Sequence, residues 1–242
     1  MIYVNIKGGD GFDAETYKMA KFQIDNAIRF GWGKETIILI TNFEFSYNGI
    51  SSLVIDDNVI GDFRYHKQAM TRVLPIILRL GLLPSFDMVW IHDFDAFQVS
   101  HFDVLPKTPP ILLTTYGWRN FINTGSWFFN NDVPLAVLDA AKEELSNTNR
   151  NTEEIAWQSI SEGVFSNYIE KLNITYNFGC RKLAHNYKKA IKPIKVIHFH
   201  PECRGSWPYL AVCTKENELG FPLVDEEFIK LMNEHNLGSC WV

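Results

Sequence analysis

The stretch FDMVWIHDFDAFQV, residues 86–99, decides how the fold of this chain is interpreted. Five of its first six residues are apolar or aromatic, which is typical of a buried strand. The run ends in Asp93 and Asp95, with only Phe94 between them. Two neighbouring carboxylates repel each other, so the pKa of one of them rises unless a cation neutralises the pair. The stretch therefore predicts a buried strand that ends where positive charge is needed.

Around this strand, short apolar runs alternate with longer amphipathic runs. The predicted strands are residues 2–6, 35–43, 51–57, 109–117, 122–130 and 194–199, and the predicted helices are residues 13–31, 64–83, 133–147, 152–172 and 225–238. This alternation predicts an α/β fold in which a mostly parallel central sheet is flanked by helices. Ligands bind at the carboxyl ends of the strands in such sheets. Residues 7–9, 93–95 and 198–204 are all predicted to lie at that edge.

The aspartate pair is typical of a metal site. Carboxylate oxygens are hard ligands that suit Mg²⁺ or Mn²⁺, and both ions also bind phosphate oxygens. Asp93 and Asp95 therefore indicate a clamp for a metal–diphosphate complex. The plainer alternative is a solvated turn, or a helix-capping aspartate with a surface neighbour. The apolar residues on both sides of the pair favour the metal site.

Five segments, taken in order, resemble the motifs of GT-A glycosyltransferases, with most similarity to the family 8-like group. They are the lysine-bearing helix at 65–80, the DxD strand at 88–99, FINTGSWFFNND at 121–132, NTEEIAWQSI at 151–160 and KVIHFHPECRGSWP at 195–208. The resemblance implies a single GT-A (Rossmann-like) domain over residues 1–210, with residues 211–242 as a helical extension packed on it. The chain departs from the family 8 pattern in four ways: Pro201 replaces glycine, Arg204 replaces lysine, Trp207 comes one position late, and Glu153–Glu154 replaces Asp–Gln.

The resemblance also implies an activity. The enzyme would move a sugar from a nucleotide-diphosphate donor, a UDP-sugar by analogy, to a hydroxyl acceptor such as a glycan. Mn²⁺ or Mg²⁺ would be held by Asp93, Asp95 and His198. The acidic pair Glu153 and Glu154 would act near the reacting carbon, and the sequence leaves open whether the anomeric configuration is retained or inverted.

Donor binding is assigned to further residues. Asn123 and Gly125 would lie under the donor sugar, while Lys67 and Arg204 would add positive charge at the diphosphate. The backbone at Lys7 and Gly8 would line the nucleotide base at the end of the first strand, and Asp93 would contact the donor through the metal.

Each of these assignments has a plainer alternative. The asparagine at 123 starts what can also be a simple turn, acidic residues in a first helical turn offset the helix dipole, and Lys67 sits on a basic helix face. His198 can be a core histidine. It can also join His200, Cys203 and either Cys180 or Cys213 in a zinc site, although the paired spacing of such sites is missing.

Two other functions compete with sugar transfer. A haloacid dehalogenase-type phosphohydrolase also places D-x-D after an apolar strand, but here Phe97 replaces its usual threonine or valine. A non-catalytic sugar-binding module could use the same metal. The net charge of −5 provides no basic surface for nucleic acid. No apolar run is long enough to span a membrane, and no signal peptide is recognisable. The sequence therefore predicts a cytoplasmic protein with reduced cysteines.

Overall fold

The computed structural model describes residues 1–5, 11–60, 69–117, 119–147, 152–180, 182–199 and 217–237 of the 242-residue chain. Its strands are β1 (Ile2–Asn5), β2 (Ile38–Thr41), β3 (Ser46–Tyr47), β4 (Ile50–Ser51), β5 (Leu53–Val54), β6 (Met88–His92), β7 (Ala96–Gln98), β8 (Ile111–Thr115), β9 (Ile122–Asn130), β10 (Ile169–Leu172), β11 (Phe178–Gly179) and β12 (Val196–His198). Its α helices are α1 (Ala14–Arg29), α2 (Asp57–Ile60), α3 (Ala69–Arg79), α4 (Leu135–Asn147), α5 (Glu153–Glu162), α6 (Leu183–Lys189) and α7 (Glu226–Glu234). Short 3₁₀ helices span Lys34–Thr36, Ser166–Tyr168 and Ile174–Tyr176.

The central sheet has seven strands in the order β10-β8-β9-β6-β1-β2-β5. Four of its neighbouring pairs are parallel, and only β9 runs antiparallel to its two neighbours, β6 and β8. The prediction of an α/β fold with a mostly parallel sheet is therefore confirmed. The carboxyl ends of β1, β2 and β6 lie at one edge, as the site prediction requires.

Both faces of this sheet are buried. Along β6, Trp90 joins one apolar cluster, whereas Val89 and Ile91 join the other. Alternate side chains of a strand point to opposite faces, so each face needs its own cover. Residues of α1 and α7 pack in the Trp90 cluster, and residues of α3, α4 and α5 pack in the other. The helices on both faces thus account for the continuous apolar runs in the strands.

A second, three-stranded sheet in the order β11-β12-β7 lies next to the aspartate pair. Strand β7 follows the pair directly and runs antiparallel to β12, so that Ala96 is paired with His198. The backbone N–H of Phe199 extends this pairing by donating to the carbonyl oxygen of Asp95 at 2.8 Å. This small sheet brings residues that are about a hundred positions apart in the chain to the same place.

One predicted helix was wrong over its final part. Residues 152–172 were expected to be helical throughout, but α5 ends at Glu162, with Gly163 as its C-cap. Residues Ile169–Leu172 instead form β10, the edge strand that pairs in parallel with β8. Pairing with β8 supplies backbone hydrogen bonds that the sequence window alone does not reveal.

The described part of the carboxyl-terminal region contains α7, as predicted. Asp225 caps this helix by accepting from the backbone N–H of Phe228, and it also forms an ion pair with Arg29 of α1. Phe228 is buried against Phe22 and Phe97. Because residues 200–216 lie outside the described ranges, the domain boundary near residue 210 stays a prediction.

Candidate active site

The turn that carries the aspartate pair is fixed by a side chain from α1. The amide nitrogen of Gln23 donates to the carbonyl oxygens of Phe94 at 2.9 Å and of Ala96 at 2.8 Å. On the other side, the backbone N–H of Asp93 donates to the carbonyl oxygen of Gly125 at 2.9 Å. These bonds hold the backbone of the turn from which both carboxylates project.

Asp93, Asp95 and His198 lie together at this turn, and we call these three candidate metal ligands the metal group. One ligand atom from each residue lies within 4.8 Å of the others. Among the described residues, these three form the group of acidic and histidine side chains that is close enough to hold one metal ion. His198 Nε2 is 3.4 Å from a carboxylate oxygen of Asp95 and 3.7 Å from one of Asp93. Asp95 and His198 are buried, whereas Asp93 is exposed. Two carboxylates and an imidazole form a donor set that suits a divalent cation, with the protein on one side and solvent on the other.

The electrostatics of the group agree with a cation site. Burial disfavours the charged form of His198, but the negative charges of Asp95 and Asp93 outweigh it, so the pKa of His198 lies above its usual value. The site therefore attracts positive charge strongly enough to overcome burial of the imidazole.

Gly125 has a clear steric reason to be glycine. A Cβ atom at this position would lie 2.0 Å from Cε1 of His198 and 2.4 Å from its Nδ1. The imidazole ring therefore rests directly on the backbone of β9. The sequence predicted that Gly125 lies under the donor sugar, and that contact stays a prediction; the structure shows that this glycine makes room for the histidine.

Asn123 is buried within the same strand. Its Oδ1 accepts a hydrogen bond from the N–H of Gly125 at 2.8 Å, and its carbonyl oxygen accepts one from Thr114 Oγ1 at 3.1 Å. These bonds shape the backbone beside the metal group. A contact between Asn123 and the donor sugar stays a prediction.

The two glutamates at the start of α5 lie in different environments. Glu153 is buried, and its carboxylate accepts from the backbone N–H of Thr71 at 2.8 Å. Burial raises the pKa of Glu153 to about 8; the Thr71 hydrogen bond opposes this shift, and the charge of Asp93 adds to it. Glu154 is half-buried, and its charge contributes to the raised pKa of His198. Both residues therefore interact electrostatically with the metal group.

Several predicted site residues fall outside the described ranges. These are Lys7, Gly8, Lys67 and Arg204, together with His200, Cys203 and Cys213 of the zinc alternative. Conversely, no motif in the sequence indicated Gln23 or Asn177. Asn177 Oδ1 lies 3.0 Å from Nδ1 of His198. Both contacts join residues far apart in sequence, and no local pattern indicates them.

Comparison with known proteins identifies the fold. No protein-family model matches the sequence. No curated protein matches it either. Among solved structures, the galactosyltransferase LgtC with donor and acceptor sugar analogs aligns with a TM-score of 0.53 at 13% identity, over 97% of this chain and 96% of that one. The chain has the GT-A fold.

Two further structures show the same likeness. A glycosyltransferase involved in glycosylation of the major capsid of PBCV-1 gives a TM-score of 0.51 at 14% identity, over 81% of this chain and 91% of the other. Mouse xyloside xylosyltransferase 1 gives a TM-score of 0.52 at 11% identity, over 84% of this chain and 97% of the other.

None of the described helices has both the length and the apolar character of a membrane-spanning helix.

Proposed function

We propose that this protein is a metal-dependent glycosyltransferase of the family 8-like group. It would transfer a sugar from a nucleotide-diphosphate donor, a UDP-sugar, to a hydroxyl acceptor. The observation that carries the proposal is the convergence of Asp93, Asp95 and His198 at the carboxyl edge of a GT-A sheet. The three solved structures described above are all glycosyltransferases, which supports the same reaction class.

The three ligands suggest how the donor is oriented. Asp95 and His198 are buried and would hold the inner side of the ion, while the exposed Asp93 lies on the solvent side, where a diphosphate would approach. A bound Mn²⁺ or Mg²⁺ would supply Lewis acidity and neutralise charge on the departing nucleoside diphosphate. Arg204 and Lys67 would add positive charge at the same diphosphate.

The two glutamates are assigned different tasks. Glu153 is held by Thr71, and burial raises its pKa to about 8, which favours the protonated form. It would keep the start of α5 in place beside α3. Glu154 is half-buried, and it would be the carboxylate that faces the sugar or the acceptor hydroxyl. Asn123 and Gly125 would support the donor sugar from β9.

A nucleotide-sugar screen in the presence of Mn²⁺ tests the proposal. We expect slow hydrolysis of one donor, lost on addition of EDTA and restored by Mn²⁺. Asp95→Asn should abolish Mn²⁺-dependent UDP binding, measured by calorimetry. Asp87→Asn is the matched control, since Asp87 precedes the same strand at its opposite end, where it forms an exposed ion pair with Lys107.

The alternatives predict other results. Donor hydrolysis that persists unchanged in EDTA contradicts the metal assignment. Phosphate release from simple phosphoesters without a sugar nucleotide would favour the phosphohydrolase. Metal-dependent glycan binding with no turnover of any donor would favour the sugar-binding module.

A further inference from the structure

Asn177 connects the metal group to the central sheet. It is 1% exposed and immediately follows the 3₁₀ helix Ile174–Tyr176. Its Oδ1 lies 3.0 Å from Nδ1 of His198. Its Nδ2 donates to Thr114 Oγ1 at 2.7 Å and to the carbonyl oxygen of Asn123 at 3.2 Å. One buried amide therefore contacts β8, β9 and β12 together.

The orientation of this amide follows from its partners. The carbonyl oxygen of Asn123 can only accept, so the Asn177 atom that faces it must be the NH₂ group. Thr114 Oγ1 lies 3.1 Å and 2.9 Å from two carbonyl oxygens, to which its hydrogen is donated. It therefore accepts from Asn177, and the oxygen of the amide is left to face His198.

This orientation determines the tautomer of the histidine. An amide oxygen carries no hydrogen, so His198 Nδ1 must bear the proton of the 3.0 Å hydrogen bond. In the neutral ring, Nε2 then holds a lone pair, and Nε2 is the nitrogen that faces Asp93 and Asp95. We infer that Asn177 is a positioning residue that keeps His198 in the Nδ1–H tautomer, with Nε2 ready to bind a cation.

The opposite tautomer would place the Nδ1 lone pair against the oxygen of Asn177. Its Nε2 hydrogen would face the carboxylates of Asp93 and Asp95 in the metal-free protein, and it would block a cation from binding at Nε2. Histidine ligands of metals usually donate their second ring N–H to such a partner, and loss of that partner typically costs about 10- to 100-fold in metal affinity. The role in metal binding rests on the proposed function, whereas the tautomer assignment does not.

The first experiment measures the tautomer. Long-range proton–nitrogen NMR of the metal-free protein with isotope-labelled histidine, in alkaline buffer where the ring is neutral, should show His198 with its proton on Nδ1. Asn177→Leu should shift the population toward the Nε2–H form. Asn26→Leu is the control, because Asn26 is an equally buried asparagine that donates to a backbone carbonyl, that of Gln98. An Nε2–H tautomer in the unaltered protein would overturn the inference, whatever the variants do.

The second experiment measures Mn²⁺ affinity in the presence of UDP, by electron paramagnetic resonance of the free ion. Asn177→Leu should bind Mn²⁺ about 10- to 100-fold more weakly. Asn177→Asp keeps an acceptor for Nδ1 and should recover most of the affinity, and Asn26→Leu should leave it unchanged. If the unaltered protein binds no Mn²⁺, the proposed function fails and the tautomer assignment is judged by NMR alone. If it binds Mn²⁺ and Asn177→Leu binds equally well, the inference fails and the proposed function stands.

Discussion

Replacing Gly125 by alanine would test the geometry of the metal group most directly. The new methyl carbon would lie 2.0 Å from His198 Cε1, whereas ordinary contact begins at 3.4 Å. The imidazole must therefore retreat by about 1.4 Å, the difference between those distances. Metal–ligand distances in proteins stay within about 0.2 Å of their usual values. We expect Mn²⁺ affinity in the presence of UDP to fall by at least about tenfold, the lower end of the effect of losing an outer partner.

The same substitution should also destabilise the fold, since overpacking a filled interior costs about 1–3 kcal/mol. Urea unfolding measures this cost. The cost should shrink in a His198→Ala background, because the ring that the methyl group meets is then absent, and a double-mutant cycle reports the difference. Wild-type Mn²⁺ affinity in Gly125→Ala, or an equal stability cost in both backgrounds, would refute the reasoning.

Three further predictions concern residues around the site. Gln23→Leu leaves two buried carbonyl oxygens of the aspartate turn without their donor. The free energy of unfolding, measured in urea, should fall by about 1–3 kcal/mol, and calorimetry should show weaker Mn²⁺-dependent UDP binding. Unchanged values for both would contradict the role of Gln23 in holding the turn. Glu153 has a pKa raised from 4.5 to about 8, so the folded state binds more protons than the unfolded state in that window and stability should fall as the pH rises through it. Glu153→Gln keeps an acceptor for Thr71 and should remove this fall, and parallel pH dependences of unfolding for the two proteins would contradict it. Arg204→Ala should weaken binding of UDP but not of UMP in calorimetry, and equal losses for both nucleotides would argue against a diphosphate contact.

The sequence predicted the central part of the fold because its signals there are local. The apolar run before Asp93 identifies a buried strand, and the aspartate at position 13 and the glycine at position 31 mark the ends of α1 to within two residues. The chain order of the motifs also identified His198 as the partner of the aspartates. The prediction failed at residues 169–172, where pairing with β8 overrides a helical pattern.

Contacts that hold the site in place could not be predicted in this way. Gln23 contacts a turn that begins about seventy residues later, and Asn177, which follows a 3₁₀ helix, contacts a histidine on β12. Neither contact leaves a periodic pattern, since each depends on how helices and strands pack in three dimensions. The same applies to Gly125, whose reason to be glycine is the position of a ring from β12.

The pairing of β7 with β12 has a consequence for the order of folding. Asp95 becomes available when only the first part of the chain has been synthesised, but His198 arrives about a hundred residues later, and the two meet only when these strands pair. Closing so long a loop is entropically costly and therefore slow. A cation that binds only when β7 and β12 are paired stabilises that pairing. Release of the cation should therefore coincide with separation of the two strands. Metal occupancy would then report on completion of folding as well as on readiness for the reaction.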